Sequence, residues 1–455
     1  MNENLKYLEI ELPEDIGRLK ACGDFERAIR VIDRRLKKEL PTALKKRLEL
    51  EKEILEIIPK SYIYDYDEAL ELLQNSFKDF KKEELDELWE LDSTDWYYIN
   101  GKVHFKDDIV ANLVKTVPQL AKRVIDKRNL VDKEGNFSLL NETITKMKKR
   151  GKLGYKIRIK AFLKINEDAE KVGEKIRVHL PIPIEGAQIK NVKLLDTSHT
   201  PKVIGDPTYP ARTVYFEEDY RSKEEFYVEY EYENIMEYVN PDYSNTLGAQ
   251  PTFYTEELSP HIVFTPYIKY LTVEVIGDET NPLKKARKIY DFITKKIMYS
   301  FVRPYYAITN IPMYGATSLK GDCGIQALLF ITMCRFAGIP ARWQAGLYSN
   351  PLSIGNHDWA QFYIAPFGWL YADCSFGGAA FREGDMDRWN FYFGNLEPFR
   401  MVSILDFQHE LNPQLKYLRK DPYDNQSGEA EYESGPLKSE DLITEQRVIE
   451  IEEII

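Results

Sequence analysis

GDCGIQALLFITMCRFAGIPARWQAGLYSNPLSIGNHDWAQFYIAPFGWLYADCSFG, residues 321–377, is the stretch on which the fold turns. The run after Cys323 is apolar almost all round, as a buried helix is, and Gly338 followed by Pro340 stops it. ARWQAGLY, GNHDWAQFYI and GWLYADCSFG then read as three strands. The second and third are joined by a hairpin at Ala365, Pro366, Phe367 and Gly368. This order puts Cys323 in the first turn of a buried helix and His357 near the start of a strand. Asp373 falls near the end of the neighbouring strand, across from the imidazole.

Those three residue types can act as one chemical unit. A thiol is a strong nucleophile only as thiolate, so it needs a base within hydrogen-bond reach. The base in turn needs a third group to fix its tautomer and orientation. At a helix N-terminus, unpaired N–H groups and the helix dipole favour the thiolate of Cys323. Gly321 and Gly324 leave room for a substrate backbone. One oxyanion donor is the backbone N–H of Cys323. The second is expected from the loop YYAITNIPMYGATSLK, with Tyr306, Asn310 and Tyr314 as candidates. Trp359 either shields the imidazole–carboxylate bond from water or packs as ordinary core.

Taken phrase by phrase, GDCG, AGIPAR, HDWAQFY and GWLYADCSFG resemble the transglutaminase-like superfamily, in its bacterial type, with a papain-like thiol core. The resemblance covers residues 281–377, and KKARKIYDFITKKIMYS looks like the family's lead-in helix. It implies that Cys323 is the nucleophile, His357 the general base and acid, and Asp373 the orienting carboxylate. Two phrases depart from the family pattern. Ala-Trp-Ala-Glu after the histidine is here Asp358-Trp359-Ala360-Gln361, and Asp-Pro-Thr is here Asp373-Cys374-Ser375. The triad survives both changes, which point to a subfamily with its own substrate.

A chain of 455 residues is too long for one ordinary core, so two or three domains are expected. The formal charge of −12 argues against a nucleic-acid partner, because phosphate binding needs a basic surface. No apolar run approaches ~20 residues, so no membrane partner is expected. The first residues lack the basic end and apolar stretch of a signal peptide. Four cysteines without close spacing fit neither a disulfide framework nor a zinc knuckle. A reduced, cytoplasmic protein without cofactor or metal is the expectation. Cys22, Cys334 and Cys374 are expected to be packing residues.

Residues 1–128 read as mainly helical. Asp24 is placed to cap FERAIRVIDRRLKKEL, ALKKRLELEKEILEII is a second amphipathic helix, and shorter helices fall at 65–74 and 82–91. WYYINGKVHF, around 96–105, is a hairpin turning at Asn100-Gly101, followed by a helix at 106–127 interrupted at Pro118. The Lys/Glu-rich outer faces are either solvated surface or a docking surface for a partner. Residues 150–276 read as an antiparallel β-sandwich, with YKIRIKAFLKI, EKIRVHLPIPI and EEFYVEYEYENIMEY alternating. His179 and His199 in it are structural. The thiol core takes 281–405, with a loop and strand closing it after Gly377. An acidic tail at 406–455 ends in the strand-like VIEIEEII. The fold class expected is therefore α+β and multidomain.

The chemistry implied is acyl transfer through a thioester on a protein or peptide substrate, with hydrolysis giving protease, amidase or deamidase activity. Hydrolysis is favoured because no acidic cluster has calcium-loop spacing and the further β-domains of cross-linking members are not seen. Glutamine cross-linking by an amine acceptor is one alternative. A non-catalytic peptide-binding scaffold is the other.

Overall fold

The Asn100–Gly101 turn sets the first register. Trp96–Ile99 pairs antiparallel with Lys102–Phe105, and the turn residues take φ of 51° and 78°, as a two-residue hairpin requires. The computed structural model to which this belongs describes residues 5–126, 133–186 and 188–455. Asp24 caps Phe25–Leu36 by accepting from Arg27 N. Asp65 forms a capping box with Glu68 ahead of Tyr66–Ser76, and Lys82–Glu90 follows. Pro118 separates Ile109–Thr116 from Pro118–Ala121.

The helical region packs as two bodies. Leu8, Ile32, Leu48 and Ile58 join the main hydrophobic core, whereas Leu73, Phe77, Phe105 and Leu113 form a second cluster with its own centre. A further helix, Lys133–Arg150, ends in three basic residues that suit the negative end of its dipole.

The sandwich has a four-stranded sheet ordered Leu442–Glu453, Lys152–Ile165, Glu225–Glu237, Ile189–Thr197. Ile157, Ile159, Ala161 and Leu163 alternate inward along its central strand and are buried. The facing five-stranded sheet contains Lys175–Pro181 and Thr213–Asp219, and it accepts Glu429–Tyr432 as the neighbour of Lys175–Pro181. Residues 406–455 dock on the body as strands of both sheets. The alternation of VIEIEEII gives Leu442–Glu453 one face for the sheet, and acidic side chains such as Glu453 meet Arg150 and Lys146. Pro266–Ile276, capped by Thr265, is helical and lies with the thiol core instead of the sandwich.

The core is one helix against one antiparallel sheet. Cys323–Phe336 is buried from Gly324 to Arg335, and Gly338 beyond it takes φ of 78°, the left-handed position that ends many helices. The sheet runs Phe393–Gly394, Gly368–Ala372, Ile354–Ile364, Ala341–Ser349, Arg400–Ile404. The third expected strand is shorter than GWLYADCSFG. It stops at Ala372, because the Asp373 side chain accepts from Phe376 N and caps the helix Cys374–Arg382.

Candidate functional site

Each named residue owes its place to a helix start or to a strand of the sheet. Cys323 is the first residue of its helix, and the cap Asp322 accepts from Ile325 N at 3.0 Å. Tyr305 donates its hydroxyl to the same Asp322 oxygen at 2.5 Å. His357 lies in the strand Ile354–Ile364, opposite Gly346. Asp373 follows directly on Ala372, which is paired with Ala360 of that strand.

His357 Nε2 and Asp373 Oδ2 are 2.7 Å apart. The same carboxylate oxygen accepts from Arg400 Nη1 at 2.9 Å, while Oδ1 accepts from Ser375 Oγ and Phe376 N. Arg400 also donates to Glu397 at 2.7 Å, and Arg400, Glu397 and Asp373 are fully buried. Burial alone would push the Asp373 carboxyl up, but the His357 imidazole and the Arg400 guanidinium outweigh it and hold it at about 2. Burial pushes the His357 imidazole down, against the pull of Asp373. Phe376 and Trp359 flank the ring, and Trp359 is itself buried and tied to Gln344 at 2.7 Å. With Nε2 committed to Asp373, Nδ1 is the nitrogen left for proton transfer.

The thiol does not hydrogen-bond to His357. Cys323 Sγ donates to Asp358 Oδ2 at 3.3 Å. Asp358 Oδ1 accepts from Gln426 Nε2 at 2.6 Å, and Gln426 also reaches His357 O at 3.1 Å. Asp424, from the same C-terminal segment, interacts electrostatically with Asp358. Both carboxyls are buried. Two interacting buried carboxyls cannot both ionise, so the pair shares a proton. Burial, and then the charge of Asp322, push Asp358 up to about 8. Burial followed by Asp421 and Asp358 pushes Asp424 up as well. The thiol itself is pushed up by burial and then by Asp358 and Asp322. The helix N-terminus alone suggests the opposite direction; burial and two neighbouring carboxyls overrule it.

The glycines serve the site differently from the sequence expectation. A Cβ on Gly321 would stand 2.4 Å from the Ile325 side chain, and one on Gly324 would stand 2.1 Å from the Tyr305 hydroxyl. They make room for the protein's own side chains, leaving none there for a substrate backbone. Asn310 is fully engaged: it caps the helix Ile311–Ser318 and donates to Pro260 O and His261 O. The Tyr314 hydroxyl is buried near Arg303, and Tyr306 is buried. None of these three hydrogen-bonds to Cys323, His357 or Asp373. Cys334 and Cys374 are buried, but Cys22 is exposed and is not the buried packing residue expected. His179 is buried against Thr213, and His199 pairs with Glu224. No group of three or more His, Cys, Asp or Glu suited to a metal occurs among the described residues, and no helix of them is long and apolar enough to cross a membrane.

Arg400, Asp424 and Gln426 had no signal in the sequence, since they lie beyond the motif-bearing stretch. Asp358 stood out only as a departure from the family phrase.

Residues 269–374 match the model of the transglutaminase-like superfamily core. An uncharacterised protein of Haemophilus influenzae is 30% identical over 138 residues, which is 25% of this chain and 37% of the relative's length. Among solved structures, a candidate cysteine protease from Cytophaga hutchinsonii aligns over 67% of this chain and 90% of its own, with a TM-score of 0.38 and 14% identity. The periplasmic domain of TgpA from Pseudomonas aeruginosa aligns over 54% of this chain and 95% of its own, with a TM-score of 0.29 and 15% identity.

Proposed function

Starting from a transglutaminase-like core over residues 269–374, we propose that the protein is a cysteine hydrolase acting on a peptide or carboxamide bond. The observation that carries this reading is the buried 2.7 Å contact between His357 and Asp373, locked by Arg400. It stands on the strand whose next residue, Asp358, holds the Cys323 thiol.

In this reading the thiol leaves Asp358 and gives its proton to His357 Nδ1. The thiolate forms a C–S bond to the substrate carbonyl, and the carbonyl electron pair becomes an oxyanion facing the Cys323 N–H. Collapse restores the carbonyl and breaks the C–N bond, and His357 returns the proton to the departing amine. Water, deprotonated by His357, then adds to the thioester. Collapse expels the thiolate, which regains a proton, and releases the carboxylic acid. An amine entering in place of water gives cross-linking by the same steps. Asp373 stays ionised throughout and orients the imidazole.

The test is the pH dependence of Cys323 alkylation by iodoacetamide, in wild type and His357→Ala, both in a Cys22→Ser background because Cys22 is exposed. A working pair reacts below pH ~8.5, the ordinary cysteine range, and His357→Ala abolishes that reactivity. Identical profiles in the two proteins refute the enzyme. They favour the second reading, a non-catalytic scaffold, which the upward push on the Cys323 thiol supports.

A further inference from the structure

The two outer edges of the four-stranded sandwich sheet are built differently. One is the strand Ile189–Thr197 and the other is Leu442–Glu453. An unpaired strand edge offers a row of free N–H and C=O groups, and lysines, prolines or bulges guard most such edges. Ile189–Thr197 is guarded in this way. It carries Lys190 and Lys193, its register slips twice, and Asn191 stands at a φ of 52°. Leu442–Glu453 has neither lysine nor proline, and from Leu442 to Val448 it runs without a break against Ile165 to Ile159. Among the described residues no strand pairs with its outer side.

The outward face of this segment reads the same in both directions. Ile443, Glu445 and Arg447 alternate outward. Ile449, the extra residue where the register shifts before Glu450, is exposed with them. The two isoleucines are 52% and 49% exposed, which leaves apolar area beside an open edge. Laid antiparallel on a second copy about Gln446, the segment sets Ile443 opposite the partner's Ile449 and Glu445 opposite the partner's Arg447. Two-fold symmetry makes each contact twice. A shift of two residues either way puts Glu445 on Glu445 or Arg447 on Arg447, and like charges directly opposite are unfavourable. A shift of one turns the outward face of one copy to the inward side of the other.

We propose that Leu442–Glu453 is a self-association edge: two copies of this chain pair there antiparallel about Gln446 and join their sandwich sheets into one continuous sheet. The free backbone groups then find partners, and the isoleucines cover each other. Glu445 and Arg447, already paired along their own strand, close with their counterparts into a ring of four charges. One exposed ion pair contributes little, and a network contributes more. The edge lies outside the matched stretch 269–374, so the pairing stands apart from the thiol chemistry.

Sedimentation equilibrium of the full chain reads the association, with reductant present because Cys22 is exposed. Wild type is expected to be dimeric at ~100 μM, as a micromolar Kd requires. Glu445 and Arg447 are each more than half exposed, so replacing them leaves the fold intact. Arg447→Glu and Glu445→Arg each turn two attractions into two repulsions, and each should weaken the dimer roughly tenfold or more. Mixing the two single variants should restore association as a heterodimer, because every 445–447 contact between them is again opposite in sign. A wild-type chain that stays monomeric overturns the inference, as do single variants that dimerise as tightly as wild type. A mixture that associates no better than either variant alone also overturns it, since the contact then lies elsewhere.

Discussion

Asp358→Asn is the most informative single change in the site. In wild type the Asp358 oxygen and the Cys323 sulfur are 3.3 Å apart. Two unit charges at that distance repel by about 2.5–5 kcal/mol for an effective dielectric of about 40–20. One pH unit is about 1.4 kcal/mol, so the carboxylate raises the thiol by roughly two units or more. The amide removes that repulsion and also removes the charged acceptor that holds the neutral S–H. Both effects favour the thiolate. Asp358 is held at about 8, so repulsion sets in as pH rises past that value and the two profiles diverge most above it. The assay is Cys323 alkylation from pH 5 to 10, with the labelled peptide identified by mass spectrometry. Faster alkylation than wild type is expected above pH 8, where Asp358 ionises, with little difference below it. Unchanged or slower alkylation in that upper range refutes the claim that Asp358 holds the thiol in its resting state.

Two further outcomes follow from the buried charges. Arg400→Met leaves Asp373 and Glu397 buried without their shared cation, so urea unfolding should show a loss of about 3–5 kcal/mol; a loss below about 1 kcal/mol contradicts the network. The raised carboxyl pair Asp358–Asp424 stabilises the fold fully below about pH 4, the ordinary carboxyl range, and that contribution is lost as pH rises through the folded value of about 8. Asp424→Asn should therefore gain Tm relative to wild type between pH 5 and 8, and melting curves that stay parallel across that range exclude a shared proton.

Much of the core could be read in the chain because its signals are local. The apolar run after Cys323 became a buried helix, and Asn100-Gly101 became a turn with both residues at positive φ. The alternation in 152–165 and 225–237 became paired strands. What escaped the reading depends on distant residues. Nothing near Arg400 says that its guanidinium will meet Asp373, and nothing near Gln426 says that it will hold Asp358. Gly324 was read for the space it leaves, but space is claimed by whichever side chain arrives, and here that is Tyr305. Asp373 was read as the end of a strand, yet a carboxylate that can accept from Phe376 N starts a helix. The helix dipole acts on Cys323 in isolation only on paper: burial and two acidic neighbours reverse its effect.

The placement of Leu442–Glu453 against Lys152–Ile165 has a consequence for synthesis. Leu442 pairs with Ile165, so one edge of the sandwich must wait for about 280 further residues to leave the ribosome. At about 5–20 residues per second that wait is roughly 15–55 s. Throughout it a long strand edge is open to wrong partners. The residues that finish the candidate site, Arg400, Asp424 and Gln426, also emerge after Cys323 and His357. A nascent chain thus carries Cys323 early and its completed environment last. Ribosome-bound chains halted before residue 400 lack Arg400, so the buried ion pair with Asp373 beside His357 cannot form in them, and Cys323 should be alkylatable there.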